Sequence, residues 1–183
     1  MSETQTSTKK MFVRPAKLVD APEIVRINIA CWKTAYKDIL PQNFLDGLDK
    51  GSAIERWENT IEKSNNQQAC LWVAEYKDSL EGFVHFGAGR DDEFSGMMEI
   101  YAVYVSPDMQ GKGIGRSLFE KVRTKAQERA YKGIYVRVLK GNDPAVRFYE
   151  GAGARRVERD FKYFELDGES YPELTYSWPL DIR

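Results

Sequence analysis

Histidine and cysteine are nearly missing from this chain: one His and two Cys stand among 183 residues. A single imidazole, His85, rules out any multi-histidine metal site. Cys31 and Cys70 have no CxxC spacing and no histidine beside them, so no zinc or other metal is expected. Both lie in apolar-rich segments, the setting of buried reduced thiols. No GxSxG elbow is present, and His85 sits in an alternating, strand-like run that suits a structural histidine. No apolar run is long enough to cross a bilayer, so no membrane partner is expected. The first ten residues are polar and lack the apolar core of a signal peptide, so they read as a loose, flexible N-terminal tail, and the location as cytoplasmic. An excess of one charge is missing too: 27 Lys plus Arg face 28 Asp plus Glu. That balance removes the global basic field expected of a nucleic-acid binder.

What is present is a regular alternation of strand and helix patterns, expected to form one domain over residues 11–183. Met11–Arg14 reads as a short strand. Asp20-Ala-Pro-Glu23 reads as a helix start, with Asp as cap, Pro in the first turn and Glu three residues on. That helix should run to about Tyr36, and Pro41–Leu48 and Ser52–Lys63 continue in helical pattern. Asn65–Gln68 is a polar break. Ala69–Tyr76 and Glu81–Ala88 form a hairpin pattern, Gly89–Gly96 a polar loop, and Met97–Val105 a strand rich in aromatic and β-branched residues. A helix over about Gly113–Ala130 places Ile114, Leu118, Val122 and Ala126 on one face. Gly133–Leu139 is a strand, Asn142–Ala152 a short helix, and Ala154–Leu166 and Tyr171–Trp178 two strands around the turn Asp167-Gly168. The unit from Met97 to Leu139 should be a parallel, right-handed βαβ, and its neighbours antiparallel hairpins. The fold class is therefore α/β, a mixed sheet covered by helices.

Between the strand ending at Val105 and the helix entering near Gly113 lies Gln110-Gly-Lys-Gly-Ile-Gly-Arg116. Glycine permits tight backbone angles and lets a ligand reach the main chain. Amides at a helix N-terminus are unpaired and partly positive, so they bind phosphate. Lys112 and Arg116 add formal charge. The GxGxG spacing is neither the GxxxxGK[ST] of a P-loop nor the GxGxxG of a dinucleotide fold, and the next strand ends Val136-Arg-Val138 without an acid.

Gln110-x-x-Gly113-x-Gly115 resembles the pyrophosphate signature of the GNAT superfamily, the acetyl-CoA-dependent N-acetyltransferases. The flanks agree. Glu99-Ile-Tyr-Ala-Val-Tyr-Val105-x-Pro107 looks like that family's central strand, and Asn142-x-x-Ala-x-x-Phe148-Tyr149-x-x-x-Gly153 like its second CoA-contacting helix. The resemblance spans about Phe12 to Trp178 and is strongest over Met97–Gly153. It implies a central, mostly antiparallel sheet with one splayed parallel pair, flanking helices, and acetyl-CoA as cosubstrate.

Residue by residue, the resemblance implies that Val103 and Val105 offer backbone groups to pantetheine, the Val103 amide facing the thioester carbonyl. Gln110, Gly111, Lys112, Gly113, Ile114, Gly115 and Arg116 would surround the diphosphate. Asn142 would cap its helix and contact pantetheine. Tyr149 would donate a proton to, or hydrogen-bond, the departing thiolate. Glu99 is the candidate base or substrate anchor; two-residue periodicity puts it on the same face as Tyr101 and Val103. Trp32 and Tyr36 fall where the family places helices lining the acceptor cleft, and the acidic run Asp91-Asp-Glu93 could attract a polycation. The implied reaction moves acetyl from acetyl-CoA to a primary amine of a small molecule or peptide, by direct attack in a ternary complex; a homodimer is compatible with it. A non-catalytic acyl-CoA sensor or scaffold is the competing reading, which would keep Gln110–Arg116 and dispense with acid–base groups.

Overall fold

The computed structural model describes residues 11–64, 69–158 and 162–180. The expected tail and the polar break at 65–68 lie outside these residues. Strand β1 (Met11–Pro15) leads through a short 3-10 turn into α1 (Ala21–Ala35), α2 (Gln42–Asp46) and α3 (Lys50–Ser64). Strands β2 (Ala69–Tyr76), β3 (Ser79–Ala88) and β4 (Met98–Val105) follow. Then come α4 (Ile114–Glu128), β5 (Gly133–Leu139), α5 (Asp143–Gly151), β6 (Arg155–Arg156), β7 (Lys162–Leu166) and β8 (Glu169–Pro179).

Asp20 precedes α1 as expected, but its carboxylate makes no cap bond to that helix. It accepts instead from the Lys17 amide (2.7 Å) and from both terminal nitrogens of Arg14 (2.7 and 2.9 Å). Arg14 also binds Glu75, so one guanidinium ties β1, β2 and the start of α1 together. The final strands also differ from expectation. The run over 154–166 divides into β6 and β7, and both pair with β8. The loop over 89–96 contains a 3-10 turn at Asp92–Phe94.

The eight strands form one sheet, ordered β1-β2-β3-β4-β5-β8-β6 with β7 also on β8. Every pairing is antiparallel except β4 with β5. The α4 and α5 side buries Ile114, Leu118, Val122 and Tyr149 against Val84, Phe86, Met98, Ile100, Ile134, Val136 and Val138. The opposite side buries Ile24, Ile27 and Cys31 of α1 and Ile61 of α3 against Leu71, Val73 and Phe83. A smaller cluster joins Tyr36, Leu40 and Leu45 to Leu139, with Trp32, Phe44 and Phe164 around it.

Two features of β4 shape the centre. Pairing with β5 covers only Met98↔Ile134, Glu99↔Tyr135 and Ile100↔Val136. Toward β3, His85 faces Ala102 while Phe86 faces Ile100, so Tyr101 is the extra residue of a β-bulge. A bulge bends its strand and resets the alternation of side chains. Met98 and Ile100 face α4 before it; Val103 and Val105 face α4 after it, with Ala102 and Tyr104 on the α1 side. The expected sharing of a face by Glu99, Tyr101 and Val103 therefore fails at Val103. Glu99 projects beside Tyr135 and Tyr101 beside His85, both on the α1 side, opposite Val103.

The close seat of β5 gives a direct test. A Cβ on Gly133 would stand 2.7 Å from Met97 Cε and 2.8 Å from the Trp178 carbonyl oxygen. The methionine end can move, whereas the backbone oxygen is held in the sheet. Gly133→Ala should cost about 1–3 kcal/mol and lower Tm by several degrees in a thermal melt, at ~2–4 °C per kcal/mol for this size.

Candidate active site

From Tyr101 to Val105, β4 runs without β5 as a partner, and β5 continues to Leu139. The two strands therefore part at their C-terminal ends. Strand backbone groups left unpaired this way are strong hydrogen-bonding groups. Val103 and Val105 lie on this stretch, half-buried, with side chains packed into the α4-side core. The Val105 carbonyl is already engaged: it accepts from Cys31 Sγ at 3.1 Å and from Gln110 Nε2 at 3.3 Å.

The glycine turn closes one end of the gap. Pro107–Met109 forms a 3-10 turn, and Gly113 stands as N-cap of α4 in the left-handed region, φ +86°. Gly111 has φ +74°, and a Cβ built on either glycine meets nothing within 4 Å. The first helical bond of the turn is Ser117 N to Gly113 O, so the amides of residues 114–116 have no partner within the helix. No acidic residue occupies the first turn. Open space beside free amides suits a diphosphate. Exposed Arg116 stands on this first turn, whereas Lys112 folds back onto the Asp108 carbonyl and the Met109 sulfur, each 3.1 Å away. Gly115 has a different reason to be glycine: a Cβ there would lie 3.2 Å from the Phe148 ring and 3.7 Å from Val105. It lets α4 approach α5, and Ile114 beside it is buried core.

On α5, Asn142 Oδ1 accepts from the Ala145 amide at 3.3 Å, the capping bond its sequence position suggested. Phe148 packs on the core and Tyr149 is 5 % exposed, its ring against Trp178 and Tyr176. Burial, then the neighbouring Tyr36 phenol, pushes the Tyr149 hydroxyl well above the usual phenol range. It stays protonated at neutral pH, the state a proton donor needs.

Glu99 is 2 % exposed and crowded by donors. Arg90 Nη2 binds Oε1 at 2.6 Å, and Oε2 accepts from Arg90 Nε (3.0 Å), the Arg90 amide (3.1 Å) and the Tyr135 hydroxyl (2.8 Å). Burial opposes the charge, but Arg90 and Tyr135 outweigh it and hold the carboxyl below its ordinary value of 4.5. The Arg90 guanidinium lies over the Tyr101 ring, 4.6 Å from its centre. His85 stands between Tyr101 and Trp57, pushed down to about 4 by burial and then by Arg90, and so is neutral near pH 7. The acidic loop is less free than its sequence suggests. Asp91 pairs with Lys162 at 3.0 Å and with Arg137 of β5, leaving Asp92 and Glu93 exposed. Phe94 stacks on Tyr135 at 4.3 Å.

Trp32 and Tyr36 meet edge to face, 5.1 Å between ring centres, and Trp32 donates to the Tyr104 hydroxyl at 2.9 Å. Tyr149 on α5 is near enough to Tyr36 for one phenol to oppose charge on the other, Asn142 starts that helix just after β5, the glycine turn follows β4, and Glu99 lies on the α1 side. Arg90, Tyr104 and Tyr135 were missed by the sequence reading. Tyr104 had the signal of standing in the same strand motif; Arg90 had none, because its partner is set by the loop's return path. No group of side chains suited to a metal ion occurs among the described residues.

Residues 32–154 match the family model described as Acetyltransferase (GNAT) family. The chain is 29 % identical over 167 residues to the uncharacterized N-acetyltransferase YuaI of Bacillus subtilis (strain 168), covering 91 % of this chain and 92 % of that one. It is 31 % identical over 115 residues to the peptidyl-lysine N-acetyltransferase YjaB of Salmonella typhimurium, covering 61 % and 67 %. In fold it is similar to the PaiA N-acetyltransferase of Thermoplasma acidophilum in complex with coenzyme A, with a TM-score of 0.72, 18 % identity, and coverage of 92 % and 99 %. With the splayed parallel pair and the glycine-rimmed helix start, these likenesses identify the chain as a member of the GNAT family, an acetyl-CoA-dependent acyltransferase.

Proposed function

We propose that residues 11–183 act as one catalytic domain that moves the acetyl group of acetyl-CoA to a primary amine of a small molecule or peptide, by direct attack in a ternary complex. The observation that carries this reading is the gap between β4 and β5, with free amides at its mouth and a protonated phenol beside it. Acetyl-CoA would lay its diphosphate on the turn around Gly111–Arg116 and its pantetheine arm along Val103 and Val105. An amide of β4 near Val103 would receive the carbonyl oxygen as the amine attacks. The C–S bond then breaks, the sulfur leaves with the electron pair, and Tyr149 supplies its proton.

Among the described residues, none of those assigned above to the site matches a strong general base. Glu99 is saturated by donors and its pKa lies below the ordinary value, so it accepts a proton poorly. Its better role is that of a fixed anion that holds the Arg90 loop against β5. The amine would shed its proton to solvent water on entering the cleft. Family kin support an amine as acceptor: one is named a peptidyl-lysine N-acetyltransferase and another, 32 % identical over 74 residues, a thialysine N-epsilon-acetyltransferase.

The test is a panel of polyamines, amino acids, aminoglycosides and peptides, read by release of free thiol. With an amine that turns over, Tyr149→Phe should lower kcat about tenfold or more and leave the KM for acetyl-CoA nearly unchanged. An intact kcat would make the phenol a packing group, and no thiol from any amine would favour an acyl-CoA sensor.

Gly113→Asp should weaken CoA binding at least about tenfold by titration calorimetry, because a carboxylate would stand at the free amides. An unchanged Kd would remove the diphosphate from this turn.

Glu99→Gln separates anchor from base. The depressed carboxyl contributes stability that is fully present above 4.5 and is lost as pH falls through its folded value. Denaturant melts should therefore show wild type well above the variant at pH 7 and the gap closing toward pH 3. The acid limb of the kcat/KM profile should stay in place; its disappearance in the variant would restore Glu99 as base.

A further inference from the structure

One acceptor on the strand edge proposed for pantetheine is already in use. Ser106 N donates to Glu81 O at 2.8 Å, which continues the register Val105↔Gly82 of β4 on β3. Along an antiparallel pair, residues that turn their backbone groups toward the partner alternate with residues that turn them away. Tyr104 and Ser106 therefore face β3, and Val103 and Val105 turn their N–H and C=O groups toward the gap. The Val105 carbonyl, next to the glycine turn, holds two donors: Cys31 Sγ at 3.1 Å and Gln110 Nε2 at 3.3 Å. A carbonyl oxygen has two lone pairs. A third donor finds none, so a pantetheine amide pairs with this oxygen only when one of the two leaves.

The two donors are unlike. Cys31 lies on α1, 4 % exposed, in one cluster with Ile24, Ile27 and Phe83. Burial pushes its thiol up to about 12, so it keeps its proton and remains a donor. Gln110 is exposed, and its bond is longer than the usual ~2.9–3.0 Å. It can leave by rotating its own side chain, with the backbone unmoved. It also stands directly before Gly111, at the entry to the turn that carries the free amides.

We propose that Gln110 is a displaceable placeholder. In the free chain it caps the Val105 carbonyl. When pantetheine pairs there, Gln110 gives up that oxygen and turns its NH2 group to the diphosphate, beside the amides of residues 114–116 and Arg116. This rests on pantetheine lying along Val103 and Val105. The side chain makes the two halves of the ligand interdependent, because pantetheine releases the donor that the diphosphate receives. An intact acyl-CoA gains a contact that neither half obtains alone, and the coupling acts equally in both directions. The turn thereby favours acyl-CoA over nucleotides that share only the diphosphate.

Competition against CoA in titration calorimetry tests this and needs no acceptor amine. The competitors are S-methylpantetheine, which lacks the diphosphate, and adenosine 5′-diphosphate, which lacks pantetheine. Gln110→Ala should bind S-methylpantetheine about twofold to fivefold more tightly than wild type, because no hydrogen bond is given up. It should bind CoA about threefold or more weakly, because the released donor is gone. Its affinity for adenosine 5′-diphosphate should stay within about twofold of wild type. Gln110→Glu, whose carboxylate cannot donate, should show the same gain for S-methylpantetheine. A gain in the alanine variant alone would trace to lost bulk and overturn the placeholder, as would equal affinity of S-methylpantetheine for all three proteins. A loss for adenosine 5′-diphosphate as large as that for CoA would overturn the coupling of the two halves. S-methylpantetheine that displaces CoA from none of the proteins would remove the pantetheine arm from this strand edge, and the placeholder with it.

Discussion

β4 and β5 are hydrogen-bonded over three residue pairs and then separate. The bulge at Tyr101 bends β4 on its β3 side just where the pairing ends. From that parting follow a stretch of β4 with no partner on its β5 side and a strand edge along which a long, narrow acyl carrier could lie. The helices are arranged to hold the parting open. α4 packs under β3 and β4 through Ile114 and Leu118, while α5 meets it through the contact of Gly115 with Phe148. β8, paired with β5 along its whole length, keeps β5 from following β4.

The charges are distributed to match. At the mouth of the gap stand free helix amides, an exposed Arg116, and no acid in the first turn. Toward the α1 wall three phenols, Tyr36, Tyr104 and Tyr149, lie near one another. Burial is the first cause that raises Tyr36, Tyr104 and Tyr149 alike, so all three stay protonated at neutral pH. The buried carboxylate of Glu99 lies on the α1 side and is neutralised by Arg90. The carboxylate is buried while the Arg90 side chain is largely exposed, so the pair contributes little net stability, yet losing the arginine would leave a buried charge without its counter-ion. Its value lies in fixing the loop over residues 89–97, which Asp91 with Arg137 and Lys162 and Phe94 on Tyr135 also pin to the far side of the gap.

Much of this was legible from residue order because it is local. The glycine turn is readable since helix-start amides and positive φ are properties of consecutive residues, as at Gly111 and Gly113. The parallel βαβ unit, the hairpin of β2 with β3 and the capping Asn142 are readable for the same reason. The division of the expected strand over 154–166 was not, because β6 and β7 are set by which part of β8 each one meets.

The chain's order of residues by itself determined a glycine-lined helix start with free amides, a central strand leading into it, and a Phe-Tyr pair on the following helix; each depends on spacings within a few residues. The tertiary structure decided which way those groups face and what they touch. A single extra residue at Tyr101 reversed the side-chain alternation, separating Glu99 from Val103, a reset that two-residue periodicity does not reveal. Glu99 received its arginine from a loop nine residues back and its phenol from a strand 36 residues on. Tyr104 met Trp32 across 72 residues. Such pairings arise only when the packed sheet brings distant segments together, and they set the protonation states and positions on which the proposed chemistry depends.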